Sequence, residues 1–229
     1  MKLVFVHGAG ESSLSFHHQL SHFEGAEGID LPGHPAGRPC DSVEGYVEWV
    51  RGYIAGRGYE NVVLCGHSMG GAITQMYALE YPDELKGIVL IGTGARLRVH
   101  PKYLKDCEDG VHAREGWLAN RAGEYARIDS EVAAALLQRS AEVGPSVKLN
   151  DLLCCDRFDV MERVQEIPVP ALILCGTEDV MTPVKYSTYL ADRVKDSRIT
   201  IVEGATHYVQ LERHREVNQA IAEFLAGLG

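Results

Sequence analysis

Glycines flank Ser68 at two residues' distance on each side in Gly66-His67-Ser68-Met69-Gly70, where the chain passes from a β-forming run to a helical one. Asn61-Val62-Val63-Leu64-Cys65 comes before it. Gly71-Ala72-Ile73-Thr74-Gln75-Met76-Tyr77-Ala78-Leu79-Glu80-Tyr81 comes after it and stops at Pro82. The segment therefore predicts strand, tight turn and helix, with Ser68 on the turn. Such a turn is strained, and glycine at 66 and 70 removes the Cβ atoms that would collide as the chain doubles back. It also brings Ser68 to a helix N-terminus, where free N–H groups and the helix dipole favour developing negative charge.

The rest of the chain repeats the alternation. Lys2–Val6 reads as a strand running into His7-Gly8-Ala9-Gly10, followed by a polar helix at about 14–23 and a weak strand near 25–29 that ends in Asp30-Leu31-Pro32-Gly33-His34. Asp41, with Glu44 three residues on, has the spacing of a capping box for a helix whose apolar face is Tyr46, Val47, Val50 and Ile54. Further strands are predicted at 85–91, 171–175 and 198–202, and a last helix buries Val217, Ile221, Phe224, Leu225 and Leu228. Continuous apolar strands alternating with helices imply an α/β fold: a doubly wound, mostly parallel sheet of about six strands covered on both faces. The alternation stops after Thr93. Tyr103, Trp117, Leu118, Tyr125, Leu136, Leu137 and Leu152 recur at helical spacing up to Ile167, so 95–165 is expected to be a helical cap inserted within a core of 1–94 and 166–229.

Two later strands end in chemically useful residues. Leu174-Cys175-Gly176-Thr177-Glu178-Asp179 leads to an acid, with Asp179 the expected partner and Glu178 its neighbour and competitor. Ile201-Val202-Glu203-Gly204-Ala205-Thr206-His207 leads to a histidine, one of ten in the chain. Ser68, Asp179 and His207 stand in the chain order of one triad architecture. A serine hydroxyl is a weak nucleophile until an imidazole takes its proton, and a carboxylate holds that imidazole in the needed tautomer. An oxyanion hole needs two converging N–H groups. Met69, after the serine, supplies one; the loop after the first strand supplies the other, assigned to Ala9, with Gly10 one residue away.

With a net charge of −10 and a pI near 5.4, the chain is a poor match for nucleic acid or an anionic membrane surface. No run approaches a membrane span, and Leu3–Val6 is too short for the core of a signal peptide. The six cysteines (40, 65, 107, 154, 155, 175) show no metal-ligand spacing, and Cys154 and Cys155 are adjacent. The expectation is a reduced, cytoplasmic protein without a metal, monomeric or homodimeric.

Taken together, His7-Gly8-Ala9-Gly10, Asp30-Leu31-Pro32-Gly33-His34, the Ser68 segment, Gly176-Thr177-Glu178-Asp179 with Pro183, and Gly204-Ala205-Thr206-His207 resemble the α/β-hydrolase superfamily over 2–92 and 168–229. That resemblance implies carboxylesterase, lactonase or thioesterase activity on a small acyl substrate, without a cofactor. The chain starts directly at its first strand and so looks like members lacking the N-terminal β-hairpin, such as the plant methylesterase and hydroxynitrile-lyase group or the enol-lactonase and menaquinone-pathway hydrolases. Thr206 stands where the family often has glycine or serine. Ser68 argues against the dehalogenases and epoxide hydrolases of this fold, which use aspartate. A C–C bond hydrolase or lyase with the same triad, or a non-catalytic binding protein, are the competing readings. Arg96, Arg98, His100, Lys102 and Lys105 form a basic stretch, expected mainly to be a solvated helix entry. Trp117, Tyr103 and Tyr125 suit cap core and pocket wall equally.

Overall fold

The computed structural model describes residues 1–229. Six strands, β1 (Lys2–Val6), β2 (Glu27–Ile29), β3 (Val62–His67), β4 (Leu85–Ile91), β5 (Ala171–Gly176) and β6 (Ser197–Val202), form one sheet in the order β2-β1-β3-β4-β5-β6. Every pairing is parallel. From β1 the chain first moves to one edge, then returns past β1 to build the rest of the sheet. The order therefore reverses between β1 and β3, which is where open α/β sheets leave a crevice beyond the strand C-termini. Val6 pairs with Gly66, so the loop after β1 and the turn after β3 emerge side by side at that crevice.

The helices are α1 (His17–His22), α2 (Val43–Gly56), α3 (Met69–Glu80), α4 (Pro101–His112), α5 (Arg114–Glu124), α6 (Ser130–Val143), α7 (Pro145–Arg157), α8 (Val184–Ala191), α9 (Val209–Glu212) and α10 (His214–Ala226). Strand alternation divides the core. Val4, Val6, Leu64, Ile88 and Ile173 face α2, α3 and α8 in the larger cluster, whereas Phe5, Val63, Cys65, Val89 and Leu172 face Phe16 and the α10 residues Val217, Ile221 and Phe224. Each fully buried Leu, Ile, Val or Phe contributes roughly 1.5–3 kcal/mol of transfer free energy, which is why these strands read as unbroken apolar runs. The last strand, β6, is a sheet edge and leaves Ile199 and Ile201 exposed.

One local prediction fails. Ser42, not Asp41, caps α2: its extended backbone lets Oγ accept the Gly45 N–H at 3.1 Å. Asp41 lies one residue too early, and its carbonyl instead accepts from the Arg157 guanidinium at 2.5 Å.

The segment between β4 and β5 is helical, carrying α4 to α7. Leu152, Cys154 and Cys155 of α7 join the larger core cluster, and Tyr125, Ile128, Val132 and Leu136 pack with Tyr208 and Leu211 in a separate one. Trp117 and Tyr125 are thus interior residues. All six cysteines are free, and burial raises the Cys154 and Cys155 thiols above their usual range. No helix is long and apolar enough to cross a membrane.

The approach of α3 to the sheet makes two glycines indispensable. A Cβ on Gly66 would lie 2.1 Å from the Gly70 carbonyl oxygen, and one on Gly70 would lie 2.0 Å from that of Val6. Backbone atoms on both sides leave no rotamer through which to relax. Gly70→Ala is therefore expected to cost about 3 kcal/mol or more, read as a lower urea midpoint. An unchanged midpoint would show that α3 can move away from β1.

Candidate active site

Ser68 occupies φ 52°, ψ −114° between β3 and α3, a region that non-glycine residues visit only where the surroundings impose it. Those surroundings are visible. The Ser68 N–H donates to the Ile91 carbonyl at 2.9 Å, and its own carbonyl accepts from the Gly71 N–H and the Thr93 hydroxyl, each at 2.9 Å. The turn is held from β4 and from α3 at once, leaving the side chain directed to a cavity beyond the sheet that His207 also lines.

Asp179 and His207 follow β5 and β6, and the parallel pairing of these strands brings the two loops together. His207 Nδ1 donates to Asp179 Oδ2 at 2.8 Å. The Thr182 hydroxyl donates to the same oxygen, also at 2.8 Å, while Oδ1 accepts the Met181 and Thr182 N–H groups. Burial alone would raise the Asp179 pKa; the His207 charge and these donors outweigh it and hold the carboxyl at about 2. For His207, burial pulls the pKa down and the Asp179 charge and hydrogen bond overcome it, leaving a net rise. With Nδ1 protonated toward Asp179, Nε2 is the nitrogen free to accept a proton. No hydrogen bond joins Ser68 to His207, whose Nδ1 faces Asp179 and Thr182; nucleophile–base contacts of this kind often tighten only around substrate. The structure separates the two adjacent acids: Glu178 turns outward, half exposed, and pairs with Arg127 at 2.7 Å.

The loop after β1 has a selective pattern of amide use. The Gly8 N–H donates to Glu11 Oε2 at 3.2 Å, and the Gly10 N–H to Asp151 Oδ2 at 2.8 Å. The Ala9 N–H, between them, donates to no protein acceptor. Met69 is the first residue of α3, so its N–H has no intrahelical acceptor either.

Several buried polar residues that sequence reasoning missed support this arrangement. Glu11 also accepts from the Ser15 hydroxyl and lies 3.2 Å from His67 Nδ1, while His67 Nε2 donates to the His207 carbonyl at 2.9 Å. Burial opposes the Glu11 charge, but His67 and Arg121 hold its carboxyl well below the ordinary range. Arg121, fully buried, pairs with Glu124, which Lys148 also approaches at 3.4 Å. The position of Glu11 just beyond the Gly8 turn and the i,i+3 spacing of Arg121 and Glu124 are visible in the sequence; the contacts of His67 with Glu11 and His207, and of Asp151 with Gly10, His34 and Tyr46, are long-range.

The cavity is small, about 80 Å³. Its walls include Leu97, Tyr103, Leu152, Cys155, Met181 and Tyr186, with Arg98 and His100 also lining it. Tyr103 is therefore pocket wall, unlike Trp117 and Tyr125. The basic stretch divides in the same way: Arg96 pairs with Asp159 and Lys105 with Asp109, whereas Arg98 and His100 reach the cavity. A hollow of about 610 Å³ against α2, lined by Glu48, Glu60, Asp83 and Glu84, contains none of the residues described above. No group of three or more His, Cys, Asp or Glu side chains is arranged to hold a metal ion.

A wholly parallel sheet, with a strained serine turn at its switch point and an acid–histidine pair from later loops, defines an α/β hydrolase type of fold. The chain belongs to the alpha/beta hydrolase family, whose profile matches residues 3–220. It is 24% identical to the (E)-2-((N-methylformamido)methylene)succinate hydrolase of Acinetobacter baylyi, across 97% of this chain and 89% of that one. To a pimeloyl-[acyl-carrier protein] methyl ester esterase of Neisseria meningitidis it is 25% identical, across 99% and 77%. The solved structure of a thermophilic esterase superposes with a TM-score of 0.83 at 29% identity, covering 99% of this chain and 90% of that one. This kinship supports a hydrolase.

Proposed function

We propose that the protein is a serine hydrolase that cleaves a small ester, lactone or thioester through an acyl-enzyme. The observation that carries this reading is the 2.8 Å bond between His207 Nδ1 and Asp179 Oδ2, which leaves Nε2 as acceptor beside the cavity that Ser68 also lines. In the proposed reaction His207 Nε2 takes the Ser68 proton as Oγ attacks the acyl carbon. The same nitrogen returns that proton to the leaving group, and water then repeats the sequence to release the acid. Ala9 and Met69 donate their N–H groups to the oxyanion, and the free Ala9 amide favours it over Gly10, whose N–H is already engaged. The cavity of about 80 Å³, against the roughly 300–1,000 Å³ of pockets for drug-sized ligands, suits a short apolar acyl or alcohol group. Incubation with a fluorophosphonate, then with a panel of short acyl esters, lactones and acyl-CoA thioesters, tests the reading. Labelling at Ser68 with turnover of at least one class supports it; absence of both defeats it.

The raised His207 pKa sets a pH dependence. Below that pKa the imidazolium cannot accept the serine proton, so kcat/KM is expected to rise with pH through a midpoint above the ordinary histidine value of 6.5. Replacing Asp179 by Asn removes the main cause of the rise and is expected to move the midpoint to lower pH. A wild-type midpoint at or below 6.5 would contradict the assignment of His207 as base.

We also assign substrate choice to the 95–165 segment, acting as a cap. Leu97, Arg98, Tyr103, Leu152 and Cys155 from this segment supply much of the cavity wall. Exchange of the segment with that of another family member is expected to change acyl preference while reactivity toward a small fluorophosphonate persists. An unchanged preference in a folded chimera would return specificity to the core loops.

A further inference from the structure

We propose that Asp151, carried by α7, is a positioning residue for the oxyanion hole, so that the hole is complete only when this helix is docked on the core. The inference rests on the serine-hydrolase reading and adds to it a device outside the sheet and its loops. Asp151 is fully buried, and both carboxylate oxygens are occupied. Oδ2 accepts the Gly10 N–H and His34 Nε2, each at 2.8 Å; Oδ1 accepts the Tyr46 hydroxyl at 2.7 Å and a longer contact from Asn150.

Core groups hold this carboxylate in place. His34 Nδ1 faces two carbonyl oxygens, those of Leu31 and Pro32, while its Nε2 faces the carboxylate. Acceptors at both nitrogens require both to be protonated, so His34 stands as an imidazolium paired with Asp151. Beside it, His7 uses Nε2 to accept the Leu31 N–H and is therefore neutral. Asp151 thus bridges α7, α2 through Tyr46, the loop after β2 through His34, and the loop after β1 through Gly10.

Lys148 adds a second contact three residues earlier on the same face of α7. A Cβ at Gly10 would lie 2.5 Å from Lys148 Cβ, so the Lys148 stem rests against Gly10, whose φ is +66°. The loop is consequently gripped at both flanks of Ala9, by Glu11 through the Gly8 N–H and by α7 through Gly10. The consequence is selective: with both neighbouring amides engaged, Ala9 alone presents a free donor. The Ala9 N–H belongs to the Gly8–Ala9 peptide, whose carbonyl accepts from the Glu11 N–H at 3.3 Å and from His7 Nδ1 at 2.8 Å, while Asp151 fixes the following peptide through the Gly10 N–H. Loss of Asp151 leaves the first peptide tethered on one side only and frees the Ala9 ψ and Gly10 φ angles, so the Ala9 N–H tilts from its aim. Binding of substrate in the apolar cavity does not depend on that aim; stabilisation of the oxyanion does.

The test uses a short alkyl trifluoromethyl ketone, which adds to a serine to form a hemiketal oxyanion, alongside steady-state hydrolysis of a nitrophenyl ester. Asp151→Ala is expected to lower kcat and to weaken ketone inhibition in parallel, each by roughly 10- to 100-fold, with KM little changed. Asp151→Asn keeps a carbonyl oxygen that can accept from Gly10 and is expected to restore most of both. Tyr46→Phe removes a partner of the other oxygen and is expected to lower stability more than ketone affinity. Should Asp151→Ala fail to fold, Asp151→Ser, too short to reach Gly10, is read in its place. A folded Asp151 variant that binds the ketone as tightly as wild type overturns the inference. An Asp151→Asn variant no better than Asp151→Ala also overturns it. If the wild-type protein is neither inhibited by the ketone nor labelled at Ser68, the serine-hydrolase reading itself falls, and this role with it.

Discussion

Ser68→Ala is expected to lower kcat by about 10⁶-fold and to abolish covalent labelling by a fluorophosphonate. The alanine side chain has no atom to form the acyl bond. His207 and Asp179, however well paired at 2.8 Å, would then have no proton transfer to assist. Fold and stability should change little, because the Ser68 backbone, not its hydroxyl, holds the turn through Ile91, Gly71 and Thr93. Residual activity should reflect binding and oxyanion stabilisation alone. Mass spectrometry of the labelled protein checks the result directly. Labelling that persists in the alanine variant would place the nucleophile elsewhere.

Replacement of Asp179 by Asn is expected to lower kcat by about 10⁴-fold. The direction follows from the donors around the carboxylate. Oδ1 accepts the N–H groups of Met181 and Thr182, each at 2.8 Å, so the asparagine carbonyl oxygen must remain at that position. The amide nitrogen then lies where Oδ2 was and points N–H groups at His207 Nδ1. His207 must shed its Nδ1 proton and carry it on Nε2, the nitrogen that should accept from Ser68. The variant keeps only this residual activity through tautomer choice, with geometry nearly intact. Glu178→Gln loses only an exposed pair with Arg127, worth roughly 0–1 kcal/mol, and should leave kcat unchanged. Comparison of kcat for the two variants settles the assignment, and the reverse ranking would transfer the role to Glu178.

Proximity explains why the sequence favours Asp179 over Glu178 and Ala9 over Gly10 only narrowly. Asp179 and Glu178 differ by one position, as do Ala9 and Gly10, and in each pair the residues have similar local chemistry. Partners far away in the chain distinguish them. Arg127 holds Glu178 at the surface, and Asp151 takes the Gly10 amide. Cap choice at α2 follows the same logic, because Arg157, more than a hundred residues away, engages the Asp41 carbonyl while Ser42 takes the cap.

Short-range physics made much of the architecture legible. Strand runs such as Val62–Cys65 and Leu172–Leu174 are apolar because they are buried on both faces, and Gly66 and Gly70 are small because backbone oxygens lie about 2 Å from where their Cβ atoms would be. These constraints act through period and residue size, so the order of strands and helices, the Ser68 turn and the apolar face of α2 could be read from the amino acids alone. Strand order was not accessible in that way, and neither was the buried charge around the site. Glu11, His34, His67, Arg121 and Asp151 are ordinary polar letters in the chain. Glu11 meets His67 and His34 meets Asp151 only once folding removes them from water, where each unpaired polar group would cost on the order of 1–3 kcal/mol and so takes a buried partner, from another element in both of these pairs.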